Sequence, residues 1–256
     1  MVPAVFAENL SVGHGGDVLI NGLTLSVGAG EILAIVGRSG CGKSSLMRIF
    51  IGLERPMAGA VHLCGMDPAE LLLAGGVRAP STYGVMFQDG ALWTSMTLLE
   101  NVSLPLLNYS GLRGDDIRDL AAFKLALVGL AGSEDAYPHE ISGGMAKRAA
   151  IARAMALDPA ILFLDEPSAG LDPHTSRQLD ELILQIRACY GTAIVFVSHE
   201  LRSIAHIADR VAFLDMETKS MLQVATLEEI VTDSPHEAVR EFFAGVQVPR
   251  REGVEI

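Results

Sequence analysis

A glycine-rich stretch between a predicted strand and a predicted helix constrains the fold of this chain more than any other feature. Residues 37–44 read Gly-Arg-Ser-Gly-Cys-Gly-Lys-Ser and fit the pattern G-x-x-x-x-G-K-[ST] without departure. The apolar run from Glu31 to Val36 predicts a strand before this loop, and the apolar spacing from Leu46 to Leu53 predicts a helix from Ser45 to Gly52 after it. Glycines let backbone N–H groups turn inward, and a helix N-terminus adds partial positive charge. The loop therefore predicts a nucleotide phosphate site.

The pattern assigns a role to each position of the loop. Lys43 is expected to reach the β- and γ-phosphates, and the Ser44 hydroxyl to hold Mg²⁺. A glycine-rich turn that arose by chance is the alternative, but it does not explain the flanking strand and helix. The residues predicted to contact the nucleotide here are Gly37, Arg38, Ser39, Gly40, Cys41, Gly42, Lys43, Ser44 and Ser45.

Composition limits the partners of the chain. Half of its 256 residues are apolar, which suffices for a buried core, and 19 basic against 31 acidic residues give a formal net charge of -12. This charge opposes binding to nucleic acid or an anionic bilayer, so we expect no nucleic-acid partner and membrane contact only through a protein. The sequence shows no spanning apolar run and no leader, which predicts a cytoplasmic protein. Cys41, Cys64 and Cys189 are expected to be free thiols.

Strand and helix patterns alternate along the chain. The period is helical from Thr97 to Ala156, and a proline-capped helix is predicted from Asp172 to Gly191. Another helix is expected to open at Ser234 and run to Gly245, before a tail from Val246. Strands are predicted at Val5 to Leu10, Leu23 to Val27, Gly59 to Cys64, Thr82 to Phe87, Ile161 to Leu164, Ala193 to Val197, Val211 to Asp215 and Met221 to Ala225. This alternation around a phosphate loop predicts an α/β domain with a mainly parallel central sheet.

An acidic pair ends one of the predicted buried strands. Asp165 is the candidate metal ligand, and Glu166 is the candidate general base that polarises an attacking water. An acidic pair at a strand end is also common in solvated turns, and only its position downstream of the phosphate loop favours the catalytic interpretation.

Further motifs occur along the chain in an order that is typical of one protein family. Ile141-Ser142-Gly143-Gly144-Met145 looks like a signature motif, Gln88 like a Q-loop glutamine, Leu171-Asp172 like a D-loop and His199 like an H-loop histidine. With these motifs the chain resembles the ATP-binding subunits of ABC transporters. The resemblance implies a P-loop (RecA-like) ABC ATPase core with an antiparallel β subdomain and an inserted α-helical subdomain.

The resemblance also implies residue roles, cofactors and partners. ATP and Mg²⁺ are the expected cofactors; His199 is a catalytic residue beside Glu166 and Lys43, and Gln88 contacts both nucleotide and metal. Ser142, Gly143 and Gly144 complete the ATP site of a second subunit, which implies a head-to-tail homodimer. His14 stands where the family usually has an aromatic residue that stacks on adenine. This departure makes His14 a candidate nucleotide contact and leaves stacking on adenine open. An integral membrane permease would hold the chain at the cytoplasmic side of the inner membrane.

The implied domains are an ABC nucleotide-binding domain over residues 1–232, with a helical subdomain at about 91–157 as a structural insert, and a C-terminal helix and tail over 233–256.

The Met after Ser142-Gly143-Gly144 and the Phe-Phe-x-Gly and Val-Pro-Arg stretches near the C-terminus are similar to Mla-type ATPases. That likeness implies phospholipid transport between bacterial membranes, with an MCE-type lipid-binding protein and a small accessory subunit as partners. An importer of an amino acid or other polar solute, and a non-transport ABC ATPase, are the alternatives.

Three large apolar residues lie close together after Gln88, namely Leu92, Trp93 and Met96. They either pack on the core of the helical insert or form a socket for a short cytoplasmic helix of the permease. The sequence leaves both interpretations open.

Overall fold

The computed structural model describes residues 2–73 and 82–246. Near the N-terminus an antiparallel sheet has the order β2-β1-β4, with β1 at Val5–His14, β2 at Asp17–Val27 and β4 at Ala58–Leu63. The predicted antiparallel pair is confirmed, and both of its strands are longer than their alternation indicated.

Across the described ranges a six-stranded sheet has the order β5-β6-β7-β3-β8-β9. The first five strands in this order are parallel, and β9 pairs antiparallel with β8 as the predicted closing hairpin. The strands are β3 (Ile32–Val36), β5 (Tyr83–Met86), β6 (Ile161–Asp165), β7 (Ala193–Val197), β8 (Arg210–Asp215) and β9 (Ser220–Thr226).

The central strands are apolar on both faces because a core lies on each side of the sheet. In β6, Leu162 and Leu164 face one core, and Ile161 and Phe163 face the other. A strand buried on both faces reads as a continuous apolar run, which is the pattern that predicted β6 and β7.

The helices of the described chain are α1 (Lys43–Phe50), α2 (Pro68–Leu73), α3 (Leu98–Tyr109), α4 (Asp115–Leu127), α5 (Gly143–Ala154), α6 (Pro173–Tyr190), α7 (Leu201–Ile207), α8 (Leu227–Asp233) and α9 (Glu237–Phe242). Helices α3, α4 and α5 form the insert between β5 and β6, which confirms the predicted fold class. None of the helices in the described ranges is long and apolar enough to cross a bilayer.

Local signals located some helix ends and missed others. Asp172 caps α6 by accepting from the backbone N–H groups of His174 and Thr175, and Gly191 ends that helix in a left-handed conformation, both as predicted. The prediction that Leu53 belongs to the buried stripe of α1 is wrong, because α1 ends at Phe50 and Leu53 is exposed.

The C-terminal helix also differs from its prediction. Ser234 is not its cap, because the helix begins at Glu237 and His236 holds the cap position. The Ser234 hydroxyl donates to Gln223 Oε1 and accepts from the His236 N–H. The helix ends at Phe242, before the predicted Gly245. Helices α2 and α7 were not predicted. Of the expected tail, residues 247–256 lie outside the described residues.

Candidate nucleotide site

The phosphate loop connects β3 to α1 through glycines in positive-φ conformations. Gly37, Gly40 and Gly42 have φ values of 150°, 84° and 99°. A Cβ on Gly37 would lie 2.3 Å from the backbone oxygen of Leu214, so the close approach of β8 also excludes a side chain there. Lys43 Nζ lies inside the loop, 2.8 Å from the oxygen of Gly37 and 3.1 Å from that of Arg38. Positive φ at these glycines suits the inward-turned N–H groups of an anion nest, and the Lys43 ammonium lies beside them.

The side chains in and around the phosphate loop differ in their direction and in their exposure. Arg38 points outward and pairs with Glu241 of α9 at 3.3 Å. Burial raises the pKa of the Cys41 thiol, so Cys41 supports the loop as a small buried group. From the end of β1, His14 Nε2 lies 3.2 Å from Ser45 Oγ, which places the imidazole at the first turn of α1. Ser44 is exposed at the same turn, and Ser39 lies exposed in the loop.

The acidic pair lies at the end of β6. Asp165 Oδ1 and Glu166 Oε2 are buried, and neither has a hydrogen-bond partner among the described residues. Burial, and next the charge of Glu166, raise the pKa of the Asp165 carboxyl, while Arg48, Lys147 and Lys43 oppose this. The partnerless Asp165 oxygen near the phosphate loop fits a divalent cation, because such a cation would satisfy its charge and its lone pairs.

Glu166 also contacts the predicted H-loop histidine. His199 Nδ1 lies 2.8 Å from Glu166 Oε1, although the two residues are 33 positions apart in the sequence. Glu166 has φ 48°, a conformation that is uncommon for a non-glycine residue, and its N–H donates to the oxygen of Val197 on β7. The adjacent ends of β6 and β7 therefore bring the candidate base and the histidine together.

Gln88 is exposed just after β5, the neighbour of β6, and its backbone oxygen accepts from Lys147 Nζ. The same ammonium donates to the oxygen of Glu166 at 3.3 Å. Burial lowers the pKa of Lys147, against the charges of Asp89, Glu166 and Asp165. The sequence did not single out Lys147, although a signal for its burial was present. It lies three residues before Ala150 and four before Ile151, which are both buried, so it falls on the apolar stripe of α5.

The signature residues lie at the start of α5. Ser142 caps this helix by accepting from the Met145 N–H at 3.2 Å. A Cβ on Gly144 would lie 2.4 Å from Thr175 Cγ2, so glycine allows α5 to approach the first turn of α6. Within residues 2–73 and 82–246 no hydrogen bond or ion pair joins Ser142 or Gly143 to the phosphate loop of the same chain.

The loop before α3 is held from inside while its tryptophan points outward. The fully buried Asn101 accepts from the Trp93 N–H and donates to the oxygens of Trp93, Met96 and Thr97. Leu92 packs against the core, whereas Trp93 is 60% exposed. The core interpretation therefore holds for Leu92 and is wrong for Trp93.

Fold and site together define a P-loop ATPase cassette, and comparison with known proteins identifies its family. The family model described as ABC transporter matches residues 20–169, more than half of the chain. The chain therefore belongs to the ABC transporter family, and it is an ATP-binding and ATP-hydrolysing transport ATPase.

Similar proteins carry several transport names. The probable ribonucleotide transport ATP-binding protein mkl of Mycobacterium tuberculosis is 36% identical over 245 residues, which cover 96% of this chain and 67% of that protein. The methionine import ATP-binding protein MetN of Caulobacter vibrioides is 36% identical over 229 residues, which cover 90% of this chain and 68% of that protein. These names do not separate the Mla-type from other transport ATPases.

Solved structures agree with the fold. The ATP-binding cassette MJ0796, solved as a dimer bound to ADP and phosphate, is 27% identical with a TM-score of 0.77, over 87% of this chain and 98% of that one. The cbiO1 protein of Clostridium perfringens, part of the ABC transporter complex cbiONQ, is 25% identical with a TM-score of 0.81, over 96% of each chain.

Proposed function

We propose that this chain is the ATPase subunit that powers a separate membrane permease, with Glu166 as the general base for ATP hydrolysis. The observation that carries the proposal is the Glu166 carboxylate itself: one oxygen contacts His199 Nδ1 at 2.8 Å, and the other is buried without a partner in the described chain. An oriented carboxylate with one available oxygen suits the activation of a water molecule, and His199 fixes its direction.

The residues around Glu166 suit the binding of ATP with Mg²⁺. Lys43 and the backbone N–H groups of the loop would hold the phosphates, and Ser44, Gln88 and Asp165 would hold the metal. The metal would supply charge stabilisation at the transferred phosphate. His14, whose Nε2 lies 3.2 Å from Ser45 Oγ, would contact the adenine ring of ATP.

A second copy of the chain would complete the site. Ser142, Gly143 and Gly144 begin a helix, so their N–H groups form a second anion-binding end, and it has no contact with the phosphate loop of its own chain in the described ranges. We propose a head-to-tail homodimer in which these residues face the ATP held by the partner's loop. The dimeric state of MJ0796 supports this arrangement.

The cargo we propose is phospholipid, moved with an MCE-type lipid-binding protein and a small accessory subunit. Its support is the Mla-like sequence after Ser142 and at Phe242-Phe243-Ala244-Gly245. A polar solute is the alternative, and the ribonucleotide and methionine names of mkl and MetN favour it. In both cases the permease would place the chain at the cytoplasmic face of the inner membrane. The proposal also includes the division into a nucleotide-binding domain over residues 1–232 and a C-terminal helix and tail over residues 233–256.

Substitution of Glu166 tests the catalytic role. Glu166→Gln should retain ATP affinity and lose turnover by about tenfold or more, which is about 1.4 kcal/mol in the barrier, because the amide cannot accept the proton of the water. Phosphate release and nucleotide affinity would be measured on the same preparation. With hydrolysis blocked, the variant should sediment as a dimer when ATP and Mg²⁺ are added.

Lys43→Ala is the contrasting variant. The charge of Lys43 faces the phosphates in the ground state as well as in the transition state, so ATP affinity itself should fall.

Phosphate release at the wild-type rate in Glu166→Gln would exclude the role of general base. A Glu166→Gln chain that stays monomeric with ATP would exclude the shared site.

A further inference from the structure

Lys147 is a buried cation in the first half of α5, only 9% exposed. Burial of an ammonium group is unfavourable unless its N–H donors find acceptors. A cation that persists in such a place needs specific compensation from its surroundings.

That compensation comes from two strand ends. Lys147 Nζ donates to the backbone oxygens of Gln88, just after β5, and of Glu166, just after β6. The two strands are parallel neighbours, with Met86 opposite Leu164. One side chain of the helical insert therefore joins the Q-loop to the residue proposed as general base.

The contact with Glu166 lies at a strained part of the backbone. With φ at 48°, Glu166 has a conformation that a non-glycine residue keeps only when its surroundings fix it. The Glu166 oxygen accepts from Lys147 and from the Ala169 N–H, and the Glu166 N–H donates to Val197. Lys147 is the only one of these partners that comes from the helical insert.

We propose that Lys147 is a positioning residue for ATP hydrolysis, which aligns the Glu166 carboxylate and the Q-loop with the orientation of α5. Ser142, the cap of α5, lies five residues before Lys147 on the same rigid helix, so a rotation of α5 that moves the signature residues also moves the ammonium. The chain thereby links the state of its signature helix to its own hydrolytic carboxylate. This inference rests on the proposed role of Glu166.

Lys147→Met tests the proposal, because methionine keeps an unbranched apolar chain and removes the donors. In the full-length chain we expect kcat for ATP to fall about tenfold while KM stays within about twofold, since misalignment of a reacting group affects the transition state more than substrate binding. Lys147→Arg, which still donates to carbonyl oxygens, should restore part of kcat.

Lys124→Met is the matched control. Lys124 is the other buried lysine of the helical insert in the described chain, 2% exposed, but its ammonium pairs with Asp158 and lies over the Tyr190 ring instead of contacting Gln88 or Glu166. We expect it to lose thermal stability and keep kcat. If Lys147→Met does not fold, Lys147→Gln replaces it, with the same expected separation of kcat from KM.

Several results would overturn the proposal: wild-type kcat in Lys147→Met, an equal loss of kcat in Lys124→Met, no gain of Lys147→Arg over Lys147→Met, or failure of both Lys147→Met and Lys147→Gln to fold. Glu166→Gln separates this failure from that of the proposed function. If Glu166→Gln loses turnover and Lys147→Met does not, only the role of Lys147 is wrong.

Discussion

At the scale of single residues, Asp180 on α6 is a buried acid outside the candidate nucleotide site. It is 4% exposed, and its Oδ1 has no hydrogen-bond partner in the described residues. Burial raises its pKa to about 6, against a hydrogen bond from Ser203 and the charges of His206 and Arg177, while Glu181 adds to the increase. Its charged form therefore destabilises the fold near neutral pH.

The sign of the resulting pH dependence follows from proton uptake. An unfolded aspartate has a pKa of about 3.9, so between about pH 4 and pH 6 the folded chain binds more protons than the unfolded chain. Stability from this group is present at low pH and is lost as pH rises through 6. Relative to Asp180→Asn, the wild type should gain about 1.4 kcal/mol of unfolding free energy between pH 7 and pH 5.

Urea unfolding of both chains at pH 7 and pH 5 measures this difference. The comparison isolates Asp180, because all other titrating groups are common to the two chains. An unfolding free-energy difference that does not change with pH would show that Asp180 titrates normally.

At the scale of elements, β5 and α5 approach each other more closely than any side chain permits. A Cβ on Gly84 would lie 2.1 Å from the backbone oxygen of Ala154. The candidate site depends on this approach, since β5 leads to Gln88 and α5 carries Lys147. Arg153 fixes the same contact by donating to the oxygens of Gly90 and Ala91.

Gly84→Ala should therefore destabilise the chain by about 1–3 kcal/mol, because the methyl group forces the helical insert away from the sheet. Gly28→Ala is the matched control: Gly28 also lacks a positive φ, and the nearest atom to its Cβ would be Oε2, at the far end of the Glu31 side chain, at 3.3 Å. Thermal melts of the two variants give the comparison. Equal melting temperatures would show that the insert adapts without cost.

At the scale of the whole molecule, the exposed Trp93 is the residue that we propose as a contact for the permease. Its indole is exposed, and its backbone is held by the buried Asn101, so the side chain is presented from a fixed loop. A rigid aromatic anchor is a common centre of a protein interface, and the net charge of -12 makes a direct contact with an anionic bilayer unfavourable.

Trp93→Ala should leave the unfolding free energy within about 0.5 kcal/mol of the wild type, because an exposed side chain contributes little to the core. Copurification of Trp93→Ala with the membrane subunits should weaken. The proteins that copurify with the wild type also test the proposed cargo, because a lipid-binding protein favours phospholipid and a solute-binding protein favours a polar solute. Leu107→Ala, at a residue 62% exposed on α3, is the control and should copurify normally. A loss of stability in Trp93→Ala with normal copurification would refute the socket.

Local sequence patterns predicted the fold and the phosphate loop because their causes are local. Glycine spacing in residues 37–42 allows positive φ, the apolar run before Asp165 reflects burial on both faces, and Asp172-Pro173 begins a helix through its own side chain and ring. Failures came where local signals were absent or competed, as at Ser234, whose hydroxyl donates to Gln223 on β9 and accepts from His236, while the helix begins only at Glu237.

The tertiary structure decided which distant residues meet at the site. Sequence order placed Glu166 and His199 in one family pattern, but only the adjacency of β6 and β7 brings their side chains within 2.8 Å. The burial of Lys147 and the exposure of Trp93 likewise depend on how the helical insert packs on the sheet. Periodicity records which face of an element is apolar, whereas the partner of that face is set by packing between segments far apart in the chain.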